Sequence, residues 1–259
     1  MENLRIPGPT PCPEPVLQAM TKQMVNHRGA EFAEITNNVT ATLKTFFQTK
    51  NDLYILTGSG SGGMEAASVN MLSPGDKVLS VSNGVFGDRF AAMATAFGAV
   101  VTSLKFEQGK VDDIDAVKKA LDADPKIKAV LLTHNETSTG ITNPLEQLAK
   151  LVKSYDKLLI VDCISSMGSI DVQVDKWGID VALSGSQKGW MVPPGLAFAA
   201  LSAVAWKAYA VSKMPKFYWD FGKAKSYLEK GQTPWTPAIT VFYALHTSLK
   251  LMQAEGMQN

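Results

Sequence analysis

Over residues 53–201 two kinds of segment alternate, and this alternation restricts the fold more than any other feature of the chain. Short β-rich apolar runs (LYILTG, KVLSVSN, VVTSLKF, IKAVLLTH, KLLIVDC, DVALSGS and LAFAAL) are separated by stretches such as 86–98, 112–123 and 144–156, where apolar residues recur with helical spacing. Parallel strands need long crossovers and helices supply them, so the pattern predicts an α/β fold with a mainly parallel sheet covered by helices. Ahead of it lie a proline- and glycine-rich start, which reads as an irregular arm, and helical spacing over residues 15–24 and 30–47. Near Ser202 the strand alternation stops. A helical stretch (AVAWKAYAVSK), an aromatic and lysine-bearing stretch (KFYWDFGKAKSYLEKGQTPWTP) and an amphipathic helix from Ala238 follow. No repeat, low-complexity tract or linker divides residues 50–205.

A net charge of +1 without any lysine- or arginine-rich run leaves no electrostatic footprint for nucleic acid or an anionic membrane, which points to a small-molecule partner. No apolar stretch is long enough to span a bilayer, and MENLRIPGPTPCPEP lacks a secretory profile, so a cytoplasmic location is expected. Cys12 and Cys163 are the only cysteines and have no CxxC spacing, so neither a disulfide framework nor a metal site is expected.

Open α/β sheets bind ligands beyond the carboxyl ends of their strands, which singles out four places directly after apolar runs: the glycine-rich loop after LYIL, THNETSTG after IKAVLL, Asp162 and Lys188. The loop from Gly58 to Gly63 precedes a helix-forming stretch, MEAASVNML, and small residues before a helix N-terminus suit a phosphate. The same loop matches GxGxxG, but a dinucleotide site expects an acid at the end of the second strand, and that strand ends VLSVSN. Asp162 ends LLIVD, where a buried carboxylate needs a partner; a protonated ring nitrogen or neighbouring backbone amides would both serve. Lys188 lies in SGSQKG behind a buried strand, where desolvation favours the neutral amine that Schiff-base chemistry needs. A lone loop lysine is ordinarily a solvated charge. The ordered set of phosphate loop, strand-end acid and strand-end lysine is what carries the functional reading.

Seven segments in order, RIPGPTPCPEPVLQAM, NHRGAEF, TGSGSGGMEAA, NGVFGDRF, THNETSTG, LIVDCISSMGS and SGSQKGWMVPPGLAF, resemble the class V pyridoxal-5′-phosphate (PLP) aminotransferases, specifically the alanine–glyoxylate and serine–pyruvate group. The resemblance runs over essentially the whole chain. It implies a type I PLP-dependent transferase fold, with a seven-stranded mainly parallel sheet, an N-terminal arm over residues 1–20 and a large PLP-binding domain over residues 21–259. It also implies PLP bound to Lys188, with Asp162 on the pyridine nitrogen, Ser59, Gly60, Ser61 and Gln187 on the phosphate, and Thr137 near the ring oxygen. Phe86 takes the place of an aromatic residue stacked on the ring, worth about 1 kcal/mol. Gln232 and Thr233 resemble a segment that reaches the partner subunit's phosphate, which implies a homodimer with shared active sites.

The implied reaction is transamination between a small amino acid, alanine or serine, and a small 2-oxo acid, glyoxylate or pyruvate. Members of the family carry a C-terminal domain with an arginine that grips the substrate carboxylate, whereas the arginines here are Arg5, Arg28 and Arg89, none at a matching position. The small C-terminal domain is therefore expected to be missing, and weak cofactor binding and little turnover are expected of the chain. The alternatives are another class V activity such as cysteine desulfuration, or a PLP-binding module without turnover. His134 reads as a hydrogen-bonded structural histidine, Cys163 as a small buried residue, and Arg28 as a helix cap or a partner of Glu31.

Overall fold

The computed structural model describes residues 4–256. All seven expected strands form, as β1 (Asp52–Gly58), β2 (Lys77–Ser82), β3 (Val100–Lys105), β4 (Ala129–Thr133), β7 (Leu158–Asp162), β8 (Val181–Gly185) and β9 (Gly195–Leu201). They make one sheet in the order β1-β9-β8-β7-β4-β2-β3. The sheet is mostly parallel, and β9 alone among its strands is antiparallel to its neighbours, β8 and β1. The segment from β8 to β9 holds no helix to carry the chain back along the sheet, so β9 must return in the opposite direction.

The central strands are buried on both faces, and their alternate residues feed two separate cores. Val130 and Leu132 of β4 and Leu159 and Val161 of β7 face one core. There they pack with α1 (Glu14–Ala19), α2 (Ala30–Phe46), α5 (Ile114–Ala123), α6 (Leu145–Ser154) and α9 (Ile239–Glu255). Ala129, Leu131, Leu158 and Ile160 face the other. That core is closed by α3 (Gly60–Met71), α4 (Val85–Ala96), α7 (Ala203–Val211) and α8 (Phe221–Leu228). Edge strand β3 is largely exposed.

Three local departures from the expected pattern have physical causes. Helix α1 stops at Ala19 rather than running to residue 24, because the Thr21 hydroxyl takes the Gln18 carbonyl (2.8 Å) and tightens the last turn. Helix α8 lies inside the aromatic stretch, started by Asp220, whose carboxylate accepts from the Gly222 amide (2.8 Å). The THNETSTG segment folds back as a two-stranded hairpin, β5 (Asn135–Glu136) and β6 (Ile141–Thr142). No helix among the described residues is long and apolar enough to cross a membrane.

Candidate active site

Strands β4, β7 and β8 end side by side, with Thr133 opposite Asp162 and Asp162 opposite Leu183, so whatever follows them shares one edge of the sheet. Lys188 is carried on the turn after β8. Two residues further on, Trp190 is fully buried, stacked on Phe47 (centroids 6.0 Å apart) and edge-on to Phe46 and Phe198, with its indole N–H on Ser184 Oγ (2.8 Å). This plug fixes the loop from below. From above, Thr10 of the arm donates its amide to the Gln187 carbonyl (3.0 Å) and its hydroxyl to the Lys188 carbonyl (2.8 Å). Lys188 Nζ donates to the Pro7 carbonyl at 2.6 Å. Burial pushes the Lys188 pKa down, and Asp162 opposes that shift.

Asp162 is buried, and its Oδ1 accepts from the Ile164 amide (2.8 Å), while no donor among the described residues reaches Oδ2. Burial pushes its pKa up to about 7; the Ile164 amide opposes this, Glu136 adds to it, and Lys188 and Arg89 oppose it. Neither cation forms an ion pair with it, so burial outweighs their pull.

Between β1 and α3, Ser59 sits at the N-cap in extended geometry with its side chain making no cap hydrogen bond, so the first amides of α3 keep no side-chain acceptor. A Cβ at Gly60 would lie 2.6 Å from Ile164 Cδ1 and would require the Ile164 side chain to move. Ser59, Gly60 and Ser61 thus approach the end of β7 closely.

These groups line one cavity of about 290 Å³, together with Phe86, Arg89, Thr137, Gln187, Pro194 and the arm residues Gly8 and Pro9. Its volume is at the lower end of the range for small-molecule sites. Eight of the ten site residues expected from sequence meet here: Ser59, Gly60, Ser61, Phe86, Thr137, Asp162, Gln187 and Lys188. Gln187 Oε1 is buried without a partner. Gln232 and Thr233 lie elsewhere, where Arg28 Nη1 donates to Gln232 Oε1 (3.2 Å) and to the Thr233 carbonyl (2.5 Å). Arg28 therefore neither caps a helix nor pairs with Glu31, as was expected of it; it ties the segment before α2 to the one before α9.

Two residues of this region escape a reading from sequence. Arg89 stands three residues after Phe86, on the same helix face, and its guanidinium lies 4.7 Å over the Phe86 ring and donates to Ser61 Oγ (3.2 Å). The i, i+3 spacing was the available signal. Glu136, fully buried beside Thr137, accepts from the Phe86 and Gly87 amides and from Ser138. His134 is buried edge-on to Trp177 (6.2 Å), but its Nδ1 has no hydrogen bond, contrary to expectation, and burial pushes its pKa down to about 4. Cys163 is fully buried, and burial raises its thiol pKa. A larger open groove, about 710 Å³, runs past Gln48, Ile170, Met191 and Met252, but no lysine, arginine or histidine lines it.

Comparison with known proteins adds the following. The family model described as aminotransferase class-V matches residues 3–259. The chain is 45% identical to the protein named soluble hydrogenase, small subunit, of Synechococcus sp. (strain PCC 6716), over 98% of this chain and 67% of that one. It is 34% identical to the serine–glyoxylate aminotransferase of Methylorubrum extorquens, over 99% of this chain and 66% of the relative. Among solved structures it is similar to an alanine–glyoxylate aminotransferase from Nostoc sp., with a TM-score of 0.94 and 32% identity over 100% of this chain and 71% of the other. The chain spans about two thirds of the length of these curated relatives.

Proposed function

Because the chain belongs to the class-V aminotransferases, a family of PLP-dependent enzymes, we propose that it moves an amino group between alanine or serine and glyoxylate or pyruvate, with the cavity around Lys188 as the cofactor site. The observation that carries this reading is the convergence of three unlike groups on one cavity: a lysine kept from full basicity by burial, a buried acid outside any ion pair, and an uncapped helix N-terminus. These are the features a phosphorylated aldehyde with a basic ring nitrogen requires. The choice of substrates is supported by relatives named serine–glyoxylate and alanine–glyoxylate aminotransferase.

When bound, PLP supplies a cationic ring that withdraws electrons from the substrate Cα. The chain's residues then divide the work. Ser59, Gly60, Ser61 and Gln187 would hold the phosphate, using the α3 amides and the Gln187 side-chain N–H donors. Asp162, ionised once a cation faces it, keeps the ring nitrogen protonated. Phe86 packs on the ring, and Thr137 offers its hydroxyl to the ring oxygen. Lys188 Nζ would take up the substrate Cα proton and hand it to the cofactor carbon, a role favoured by its lowered pKa. Gln232 and Thr233, which do not line their own cavity, serve a second copy's site in a homodimer.

Cysteine desulfuration finds no support, since burial raises the thiol pKa of both Cys12 and Cys163, away from a reactive thiolate. The substrate class is tested on PLP-loaded protein extended to the length of its relatives, by mixing it with alanine, serine, aspartate or cysteine and following conversion of the cofactor to its amine form. Alanine or serine should convert it at least tenfold faster than aspartate. A preference for aspartate would overturn the proposed pair, and cysteine converted to alanine and, with a thiol reductant present, sulfide, without build-up of the amine form, would favour desulfuration.

A further inference from the structure

The cavity has one wall built on strand ends and another built on two segments that share no strand with it or with each other. Phe86 stands on the first turn of α4 and Arg89 one turn further on, while Thr137 stands in the turn between β5 and β6, some 50 positions away in sequence. Glu136 joins them. Its Oε2 accepts from the Phe86 amide (3.0 Å) and the Gly87 amide (3.1 Å); its Oε1 accepts from the Ser138 amide (3.0 Å) and the Ser138 hydroxyl (2.6 Å). Ser138 Oγ in turn accepts from the Val85 amide (3.2 Å). Three successive amides at the start of α4, which a helix leaves unpaired, are thus tied to the hairpin that carries Thr137. Gly84 keeps the contact close, since a Cβ there would lie 2.5 Å from Glu136 Cγ. Glu136 is also fully buried, beyond the reach of solvent that could replace these bonds.

We infer that Glu136 is a positioning residue for cofactor binding: it locks Phe86 and Thr137 into a single wall that receives the ring, without touching the ring itself. The inference rests on reading this cavity as the PLP site. The phosphate cradle at Ser59–Ser61 belongs to a different element, α3, and makes no hydrogen bond to Glu136. A loss of Glu136 should therefore separate ring affinity from phosphate affinity.

The test uses the cofactor-free protein and measures two affinities by titration, for PLP and for inorganic phosphate. In Glu136→Ala the dissociation constant for PLP should rise by about 10- to 100-fold, and that for inorganic phosphate should stay within about twofold. The circular dichroism of bound PLP, which reports how the ring is held, should fall in parallel. Glu136→Gln keeps an acceptor for the Phe86 and Gly87 amides and should restore most of the affinity. Ser138→Ala removes one link only and should weaken PLP about threefold, which keeps the inference testable if the alanine variant at 136 does not fold. Unchanged PLP affinity in Glu136→Ala, or an equal loss for PLP and phosphate, would overturn it. Absence of any covalent PLP at Lys188 in the parent protein would instead bring down the reading of the cavity on which it rests.

Discussion

The two walls of the cavity are held in different ways. Asp162 and Lys188 continue strands buried on both faces, and their positions follow from sheet register and from the Trp190 plug. Phe86 and Thr137 stand on a helix start and a hairpin held together through one buried carboxylate. The first wall is fixed by packing that the whole core enforces. The second is fixed by a few hydrogen bonds, and it is where changes of a single side chain should alter geometry without unfolding the sheet.

The largest effect should come from the strand-borne wall. Asp162→Asn keeps an acceptor for the Ile164 amide and preserves shape, but removes the charge proposed to keep the ring nitrogen protonated. Exchange of the substrate Cα proton, followed by NMR in deuterated water, should slow by about 10²- to 10⁴-fold with little change in melting temperature. Equal exchange in variant and parent would reduce Asp162 to a structural acid and make the two walls equivalent.

On the tied wall the effect should be smaller and of another kind. Phe86→Ala removes a ring contact worth about 1 kcal/mol along with some apolar burial, so PLP affinity should weaken about 5- to 30-fold. Proton exchange in the loaded protein should change far less. A loss of exchange comparable to that of Asp162→Asn would erase the proposed division of labour.

The smallest effect concerns what lies behind the tied wall. Asp112 is buried, neither carboxylate oxygen has a hydrogen-bond partner, and its pKa is pushed up to about 7 by burial and then by the Glu136 charge. An acid whose folded pKa exceeds its unfolded value binds more protons when folded, so its contribution to stability is full below about pH 4 and is lost as pH rises to about 7. Removing it should help most at high pH. Asp112→Asn should match the parent near pH 4 and melt about 2–6 °C higher at pH 8, with the difference growing between those limits. His134, pushed down to about 4, has the opposite slope in both proteins and cancels in the comparison. A melting difference independent of pH would show that Asp112 has a partner at neutral pH.

The same contrast explains what could be read from the sequence. Asp162 and Lys188 were legible because apolar runs announce buried strands, and a charged residue just past such a run has few places to go but the edge of the sheet. The segment of Thr137, THNETSTG, was marked by its place after an apolar run, though its role came through resemblance; Phe86 was legible only through resemblance, since nothing local in NGVFGDRF marks a cavity wall. Glu136 was missed although THNETSTG stood out as a strand-end segment, because nothing in its neighbours Asn135, Thr137 and Ser138 tells a buried carboxylate from a solvated one. Its burial depends on Gly84, far upstream, and local periodicity carries no trace of that contact. Helix α8 was passed over although Asp220 stood as an N-cap before a helix-forming run, a signal masked by the surrounding aromatics.

Lys188 is the proposed anchor of the cofactor, and its modification can be mapped. Protein loaded with PLP, reduced with borohydride and digested should yield a single pyridoxyl-modified peptide containing residues SGSQKGW, with the added mass on Lys188, and Lys188→Ala should yield none. A pyridoxyl group mapped to any other lysine, or an adduct that persists in Lys188→Ala, would contradict the account.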